Sequence, residues 1–293
     1  MLFLYLCVRY RFCVYRNILF EEMFEKNKKY VLLGSCFSQY MGLRMQVEGY
    51  DAVCNPMGTL FNPESIRNTI VHALEGGAED LPMFYDETMK EWRCWLANTR
   101  FRAPQESEAR ALVQEVFFSL GEDLRKAHRL FITLGTNVCY RLKDDSADDT
   151  EVHENGTIDS VDKHRECLVV SNCQRQPDRL FVEDTLSVDK LCNVLAQTIE
   201  CLASYNTSLK ITFTVSPYRY KKYGWHRSQL SKASLLLAID EMQKRYPDRV
   251  DYFPSYEIMM DELRDYRYYA EDGLHPAPEA VDIIWNRLCE QTP

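Results

Sequence analysis

Short apolar runs alternate with longer amphipathic stretches along most of the chain, and this alternation predicts its secondary structure. An apolar run bounded by polar or turn residues is typical of a buried strand, whereas apolar residues three and four positions apart are typical of a helix. Strands that hand over to helices in this way favour an α/β fold. Predicted strands lie at 31–34, 50–54, 129–134, 209–215 and 249–253, and predicted helices at 63–74, 106–127, 188–203, 228–244 and 278–290.

Two further segments predict β structure outside this main set. Residues 83–101 carry aromatic side chains around a Glu-Thr-Met-Lys turn, which predicts an inserted hairpin. Residues 140–143 and 167–171 are expected to pair as a second hairpin. Between them, residues 144–163 hold eight acidic residues and few apolar ones, so we expect a solvated, mobile insertion there.

The chain is expected to consist of an N-terminal arm, residues 1–28, and one domain, residues 29–293. The apolar and aromatic start is interrupted by Arg9, Arg11 and Arg16, which leaves no run long enough to cross a membrane. No small-residue cleavage site follows an uninterrupted apolar core, so a secretory signal is not expected.

Composition narrows the class of protein. The 293 residues are 46% hydrophobic, and the net charge of −9 argues against general nucleic-acid binding. Eleven cysteines occur without a Cys-x-x-Cys pair, which indicates neither a zinc ribbon nor a disulfide framework and favours reduced thiols in a cytoplasm. His153 and His164 match no metal-ligand spacing, so no metal or other cofactor is expected.

The sequence Val-Leu-Leu-Gly-Ser-Cys-Phe-Ser-Gln-Tyr-Met-Gly at 31–42 is the first candidate for chemistry. A strand that ends here and passes into a helix places small polar side chains at the carboxyl edge of a parallel sheet. Free N–H groups at the helix start can receive a developing negative charge. A tight turn capped by Ser35 explains the same residues equally well.

The segment 269–280 supports the catalytic interpretation. Asp272 stands three residues before His275, so its carboxylate can hold one imidazole nitrogen while the other nitrogen faces a nucleophile. Together the two segments supply a nucleophile, a base and a residue that orients the base.

With Gly-Ser-Cys-Phe at 34–37 and Asp-x-x-His at 272–275, the chain resembles the GSCFA family within the SGNH (GDSL-like) hydrolase superfamily. The resemblance covers roughly residues 29–288, and residues 1–24 show none. It also rests on Asn-Pro-Met-Gly at 55–58, Thr-Leu-Gly-Thr at 133–136, Val-Ser-Asn-Cys at 170–173, Thr-Val-Ser-Pro at 214–217, Ser-Lys-Ala at 231–233 and Tyr-Phe-Pro-Ser-Tyr at 252–256.

The resemblance implies a three-layer α/β/α sandwich around a mostly parallel five-stranded sheet of flavodoxin-like order, with a small β insertion. It also implies a cofactor-free hydrolase or acyltransferase that acts on a small-molecule ester, such as an O-acylated carbohydrate. For the oxyanion, the resemblance assigns the backbone N–H of Gly58 and an asparagine amide. Asn137 falls on the superfamily's Gly-x-Asn-Asp pattern, in which Val138 replaces the aspartate, and Asn172 is the competing donor.

The nucleophile depends on how the motif is aligned. Aligned without gaps on Gly-Asp-Ser-Leu, the chain places Cys36 at the nucleophile and Ser35 at the aspartate, whereas a shift of one residue makes Ser35 the nucleophile. A thiol beside His275 at a helix N-terminus is expected to have a lowered pKa. We therefore expect Cys36 to be the nucleophile and Ser35 a cap.

Two basic residues and two other functions complete the predictions. Arg219 and Lys232 are candidates to bind an anionic group of the substrate, although surface placement is the commoner fate of both residue types. His226 is a weaker base candidate than His275, since no carboxylate stands at a fixed spacing from it.

The alternative functions are a catalytically inactive ligand-binding protein that retains the pocket and a redox-sensing protein that uses Cys36.

Overall fold

The structure is a computed structural model that describes residues 24–76, 81–143 and 168–290. Most of the predicted arm, the predicted acidic insertion, and both His153 and His164 lie outside the described residues. Within the three described ranges, every helix is too short or too polar to cross a bilayer.

Ten strands and seven α-helices make up the described chain. The strands are β1 (Lys29–Gly34), β2 (Asp51–Cys54), β3 (Met83–Asp86), β4 (Glu91–Cys94), β5 (Arg102–Ala103), β6 (Arg129–Leu134), β7 (Val138–Leu142), β8 (Phe181–Thr185), β9 (Lys210–Val215) and β10 (Val250–Tyr252). The helices are α1 (Cys36–Val47), α2 (Pro63–Glu75), α3 (Glu106–Lys126), α4 (Val188–Tyr205), α5 (Trp225–Arg245), α6 (Ser255–Glu257) and α7 (Pro278–Glu290).

The central sheet has the strand order β10-β9-β6-β1-β2, and every pairing in it is parallel. Numbered by their order within this sheet, the strands run 5-4-3-1-2, which is the flavodoxin-like order read from the opposite side. The predicted fold class is confirmed. Because parallel strands end at one side of a sheet, the residues that follow β1, β2, β6 and β9 meet at a single edge, here called the carboxyl edge.

Helices cover both faces of this sheet. Successive side chains of a strand point to opposite faces, so Leu33 packs in one apolar cluster and Leu32 in the other. The first cluster lies under α2, α3, α4 and α5, and the second lies under α1 and α7. The sheet is therefore the middle layer of a three-layer sandwich, with its carboxyl edge left open.

Two small antiparallel sheets extend the domain. The predicted hairpin is confirmed as β3 and β4, with β5 added as a third strand. The predicted pairing of 140–143 with 167–171 is only partly right. Tyr140 and Leu142 exchange single backbone hydrogen bonds with Val170 and Leu168, but the continuous partner of β7 is β8. The sequence pattern did not reveal β8, because only Phe181 of this strand is buried and its last three residues are polar.

Candidate active site

The turn between β1 and α1 is held from two neighbouring strands. Gly34 has a positive φ of 135°, and a Cβ atom there would lie 2.2 Å from the carbonyl oxygen of Thr133 in β6, so only glycine fits. The N–H of Gly34 donates to Oδ1 of Asn55 at 2.9 Å, and Nδ2 of Asn55 donates to the carbonyl oxygen of Ser35 at 3.2 Å. These contacts fix the direction in which the chain enters α1.

Ser35 and Cys36 have different environments at this turn. Ser35 is fully buried, and its Oγ accepts the N–H of Phe37 at 3.3 Å, which makes it the N-cap of α1. Cys36 is the first residue of the helix, is partly exposed and carries a free thiol. The geometry therefore gives Ser35 a capping role and leaves Cys36 as the more accessible of the two candidate nucleophiles.

The thiol of Cys36 is protonated at neutral pH. Burial raises its pKa, and this effect outweighs the N–H groups of Phe37 and Cys36 and the positive charge of Lys232, which act in the opposite direction. The negative charge of Asp272 raises the pKa further. The expectation of a lowered pKa at Cys36 is wrong. The N–H groups at the helix N-terminus do lower this pKa, but the cost of removing a thiolate from water raises it by more.

Asp272 and His275 form a hydrogen-bonded pair in one turn. Oδ2 of Asp272 lies 2.5 Å from Nδ1 of His275, while Oδ1 accepts the N–H groups of Leu274 at 2.8 Å and His275 at 3.0 Å. The bond to the imidazole, followed by the two N–H groups, lowers the pKa of Asp272 to about 2. An ionised carboxylate only accepts hydrogen bonds, so Nδ1 of His275 carries a proton that it donates to Asp272, and Nε2 takes no part in the pair.

Tyr218 lies against this pair and was not identified from the sequence. Its ring centroid is 4.5 Å from that of His275. Burial raises the pKa of Tyr218, and its proximity to Cys36 and Asp272 adds to this effect. His275 therefore contacts both Asp272 and Tyr218, and Cys36 lies near enough to affect the pKa of Tyr218.

Lys232 reaches the same site from α5. Its side chain is only 2% exposed, and Nζ donates to the carbonyl oxygens of Gly135 and Ser216, each at 2.7 Å. Burial lowers the pKa of Lys232 to about 7, although the proximity of Cys36 acts to raise it. The alternative of surface placement does not apply to Lys232, whereas its predicted role toward an anionic group of the substrate stays a prediction. A signal was present in the sequence, because Lys232 shares a helix face with Ser228 and Leu235, which are buried.

The three predicted oxyanion donors each have an internal partner. The N–H of Gly58 donates to the carbonyl oxygen of Asn55 at 2.8 Å. Nδ2 of Asn137 donates to the carbonyl oxygen of Leu186 at 2.9 Å, and Nδ2 of Asn172 to that of Ala97 at 3.1 Å. Their role toward a substrate stays a prediction, and in this structure all three stabilise the loops around the site.

Arg219 supports the loop that carries the histidine. Its guanidinium lies 4.1 Å from the ring centroid of Trp225, and Nη1 is 3.5 Å from the carbonyl oxygen of Gly273. The backbone N–H of Arg219 donates to the carbonyl oxygen of Leu274 at 3.1 Å. These contacts give Arg219 a positioning role next to His275, in addition to the predicted role toward a substrate anion.

Across the residues that the structure describes, no three His, Cys, Asp or Glu side chains come together as metal ligands would.

Comparison with solved structures gives distant matches. A proposed acylhydrolase from Bacteroides fragilis is 12% identical in sequence to this chain, with a TM-score of 0.44. The match covers 91% of this chain and 87% of the acylhydrolase chain. A GDSL-like lipase from Bacteroides thetaiotaomicron is 13% identical in sequence to this chain, with a TM-score of 0.42. The match covers 96% of this chain and 95% of the lipase chain. Similarity at this level says nothing about the reaction.

No curated protein matches the chain. The family model of the GSCFA family matches residues 29–288, which are most of this chain. The chain therefore belongs to the GSCFA family.

Proposed function

We propose that this protein is an acyl-ester hydrolase of the SGNH type in which Cys36 is the nucleophile, His275 the general base and Asp272 the residue that orients the base. The observation that carries the proposal is the contact of 2.5 Å between Oδ2 of Asp272 and Nδ1 of His275, at the edge where Cys36 begins α1. A carboxylate that fixes the tautomer of a histidine beside a nucleophile is the arrangement used for acyl transfer on several unrelated folds.

The reaction proceeds in two steps. As the sulfur of Cys36 attacks the ester carbonyl carbon, the thiol proton passes to Nε2 of His275, and a tetrahedral oxyanion forms. The carbon–oxygen bond of the ester then breaks, His275 returns the proton to the departing alkoxide, and an alcohol and a thioester on Cys36 result. In the second step, His275 takes a proton from water and the hydroxide attacks the thioester carbon. The carbon–sulfur bond then breaks, His275 returns the proton to the sulfur, and the carboxylic acid leaves with the thiol of Cys36 regenerated.

The raised pKa of Cys36 favours this mechanism over redox sensing. Cysteines that sense oxidants are exposed and have a low pKa, because the thiolate is the reactive form. The thiol of Cys36 is instead partly buried and protonated, mainly because of its burial. A base that removes the proton during attack is therefore required, and His275 supplies it.

The start of α1 supports the developing negative charge. Cys36 is the first residue of the helix, and its own N–H acts on its thiol. An N–H group at a helix N-terminus, together with the helix dipole, stabilises an anion there. We assign the first oxyanion donor to this N–H, while Gly58, Asn137 and Asn172 are candidates for a second donor.

Trapping the acyl-enzyme tests the proposed nucleophile. The full-length protein is mixed with p-nitrophenyl acetate, quenched in acid and digested, and the acetylated residue is located by fragment mass spectrometry. We expect acetyl on Cys36 that is removed by neutral hydroxylamine, as a thioester is. Cys54→Ala, which removes another partly buried thiol, should retain this label. Acetyl on Ser35 would show a serine esterase, and acetyl on neither residue would favour a ligand-binding protein.

Replacing Asp272 with asparagine tests the orientation of the base. Without the carboxylate, Nδ1 of His275 loses its preferred acceptor, so we expect kcat to fall by about 10²-fold with little change in KM. Asp265→Asn is a matched control, because Asp265 is another exposed aspartate whose side chain accepts a backbone N–H in a turn, that of Arg267. Equal rates for wild type and Asp272→Asn would count against the proposed mechanism.

A further inference from the structure

One face of α1 is apolar and exposed, and it begins at the candidate nucleophile. Residues four, seven and eleven positions after Cys36 lie on the same side of a helix as Cys36. They are Tyr40, Leu43 and Val47, and their exposed fractions are 40%, 48% and 77%. The opposite side of α1 is buried against the sheet through Phe37, Met41 and Met45. A helix in a water-soluble domain usually has polar side chains at such exposed positions.

This face forms one wall of a cavity of about 420 Å³. The other wall consists of Pro276, Pro278 and Val281, from the loop after Asp272 and from the start of α7. His275 also lines the cavity, which therefore adjoins the proposed base directly. Its volume lies within the range of ordinary small-ligand pockets.

Charge in the cavity is confined to one ion pair besides the histidine. Arg44 and Asp282 both line the cavity, and Nη2 of Arg44 lies 2.8 Å from Oδ1 of Asp282. The two charges offset one another, so neither is available as a dedicated partner for a charged ligand. The remaining wall offers apolar side chains and the phenol of Tyr40. A sugar ring would need several convergent hydrogen-bonding groups there, whereas an aliphatic chain would need none.

We propose that this cavity binds the aliphatic acyl chain of the substrate, so that the protein acts on esters of medium-length fatty acids. This proposal rests on the proposed hydrolase function, since it places the acyl carbonyl between Cys36 and His275 and the chain along Tyr40, Leu43 and Val47. From Tyr40 to Val47 the helix rises about 10 Å, because each residue adds about 1.5 Å. Acyl chains that extend along this distance gain contact area, whereas an acetyl group leaves most of the wall uncovered.

A ladder of p-nitrophenyl esters tests the proposal on the full-length protein. We expect kcat/KM to rise by about two- to fourfold for each added methylene from acetate through butanoate and hexanoate to octanoate, since burying a methylene favours binding. In Leu43→Asp the ratio of octanoate to acetate kcat/KM should fall by at least about tenfold, because the variant introduces a charge into the wall. Leu112→Asp is the matched control, as Leu112 is a similarly exposed leucine on α3. It should leave the ratio unchanged.

Binding without turnover separates this proposal from the proposed function. Calorimetry on Cys36→Ala compares octanamide with acetamide, which are neutral and carry the same head group. If no ester is hydrolysed but octanamide binds at least about tenfold more tightly than acetamide, and Leu43→Asp removes this difference, the hydrolase proposal fails and the cavity is still an aliphatic-chain site.

Two results would overturn the inference. The first is a flat ester ladder together with equal binding of octanamide and acetamide. The second is a wild-type dimer in sedimentation experiments that becomes a monomer in the Leu43→Asp variant, while the ratio of octanoate to acetate kcat/KM is the same in both proteins. In that case a second copy of the chain covers this face of α1.

Discussion

Replacing Cys36 with alanine is expected to lower ester turnover by about 10³-fold or more while the protein stays folded. The alanine lacks the sulfur that forms the thioester, and the partly exposed side chain contributes little to the core. Steady-state kcat with p-nitrophenyl acetate, together with thermal unfolding of the same samples, measures both effects.

Two neighbouring variants sharpen this result. Ser35→Ala should lose about 1 kcal/mol of stability, because the N-cap bond to the N–H of Phe37 is removed, but it should retain turnover. Cys54→Ala should retain turnover as well. Loss of turnover in Ser35→Ala without a loss of folding, combined with activity in Cys36→Ala, would transfer the role of nucleophile to Ser35.

The contribution of Lys232 to the stability of the protein is expected to rise with pH above neutrality. Its pKa is lowered from 10.5 to about 7 by burial, so between these values the unfolded chain binds a proton that the folded chain does not. The contribution of Lys232 to stability therefore increases with pH across this window, and below it the full cost of burying the ammonium remains. The gain from Lys232 alone between about pH 7 and pH 9 is roughly 2 kcal/mol.

Lys232→Met removes this titration while it retains an unbranched side chain. Urea unfolding at several pH values measures the free energy of unfolding of both proteins. The value for wild type minus that for Lys232→Met should increase by roughly 2 kcal/mol from about pH 7 to pH 9. Lys244→Met, which removes an exposed lysine near the end of the same helix, should reproduce the wild-type slope. A difference between wild type and Lys232→Met that is independent of pH would mean that the amine is charged in the folded protein throughout this range.

The sheet and the framework of the site could be predicted from the sequence because each depends on local signals. Short apolar runs located all five central strands, and the Asp-x-x-His spacing placed Asp272 and His275 in one turn, where their side chains do form a hydrogen bond. The strand order came from the family resemblance, since the pattern of apolar residues does not state which strands are neighbours.

The remaining features depend on the environment that distant segments create. The pairing of β7 with β8 connects parts of the chain about 40 residues apart. The pKa values of Cys36 and Lys232 are dominated by burial, which becomes known only when α1 and α5 are placed against the carboxyl edge. Tyr218 follows β9 and reaches His275 through the same packing.

The position of Cys36 at the start of α1 has a consequence for insertions and deletions. Cys36 and the wall at Tyr40, Leu43 and Val47 belong to one hydrogen-bonded helix, so their relative positions follow from the number of residues between them. One added residue after Cys36 would turn the rest of the helix by about 100° relative to Cys36. This would separate the wall from the nucleophile or remove Met41 and Met45 from the core. A change of side chain along this face would therefore alter the cavity alone, but a change in the length of the helix would disrupt either the site or the fold.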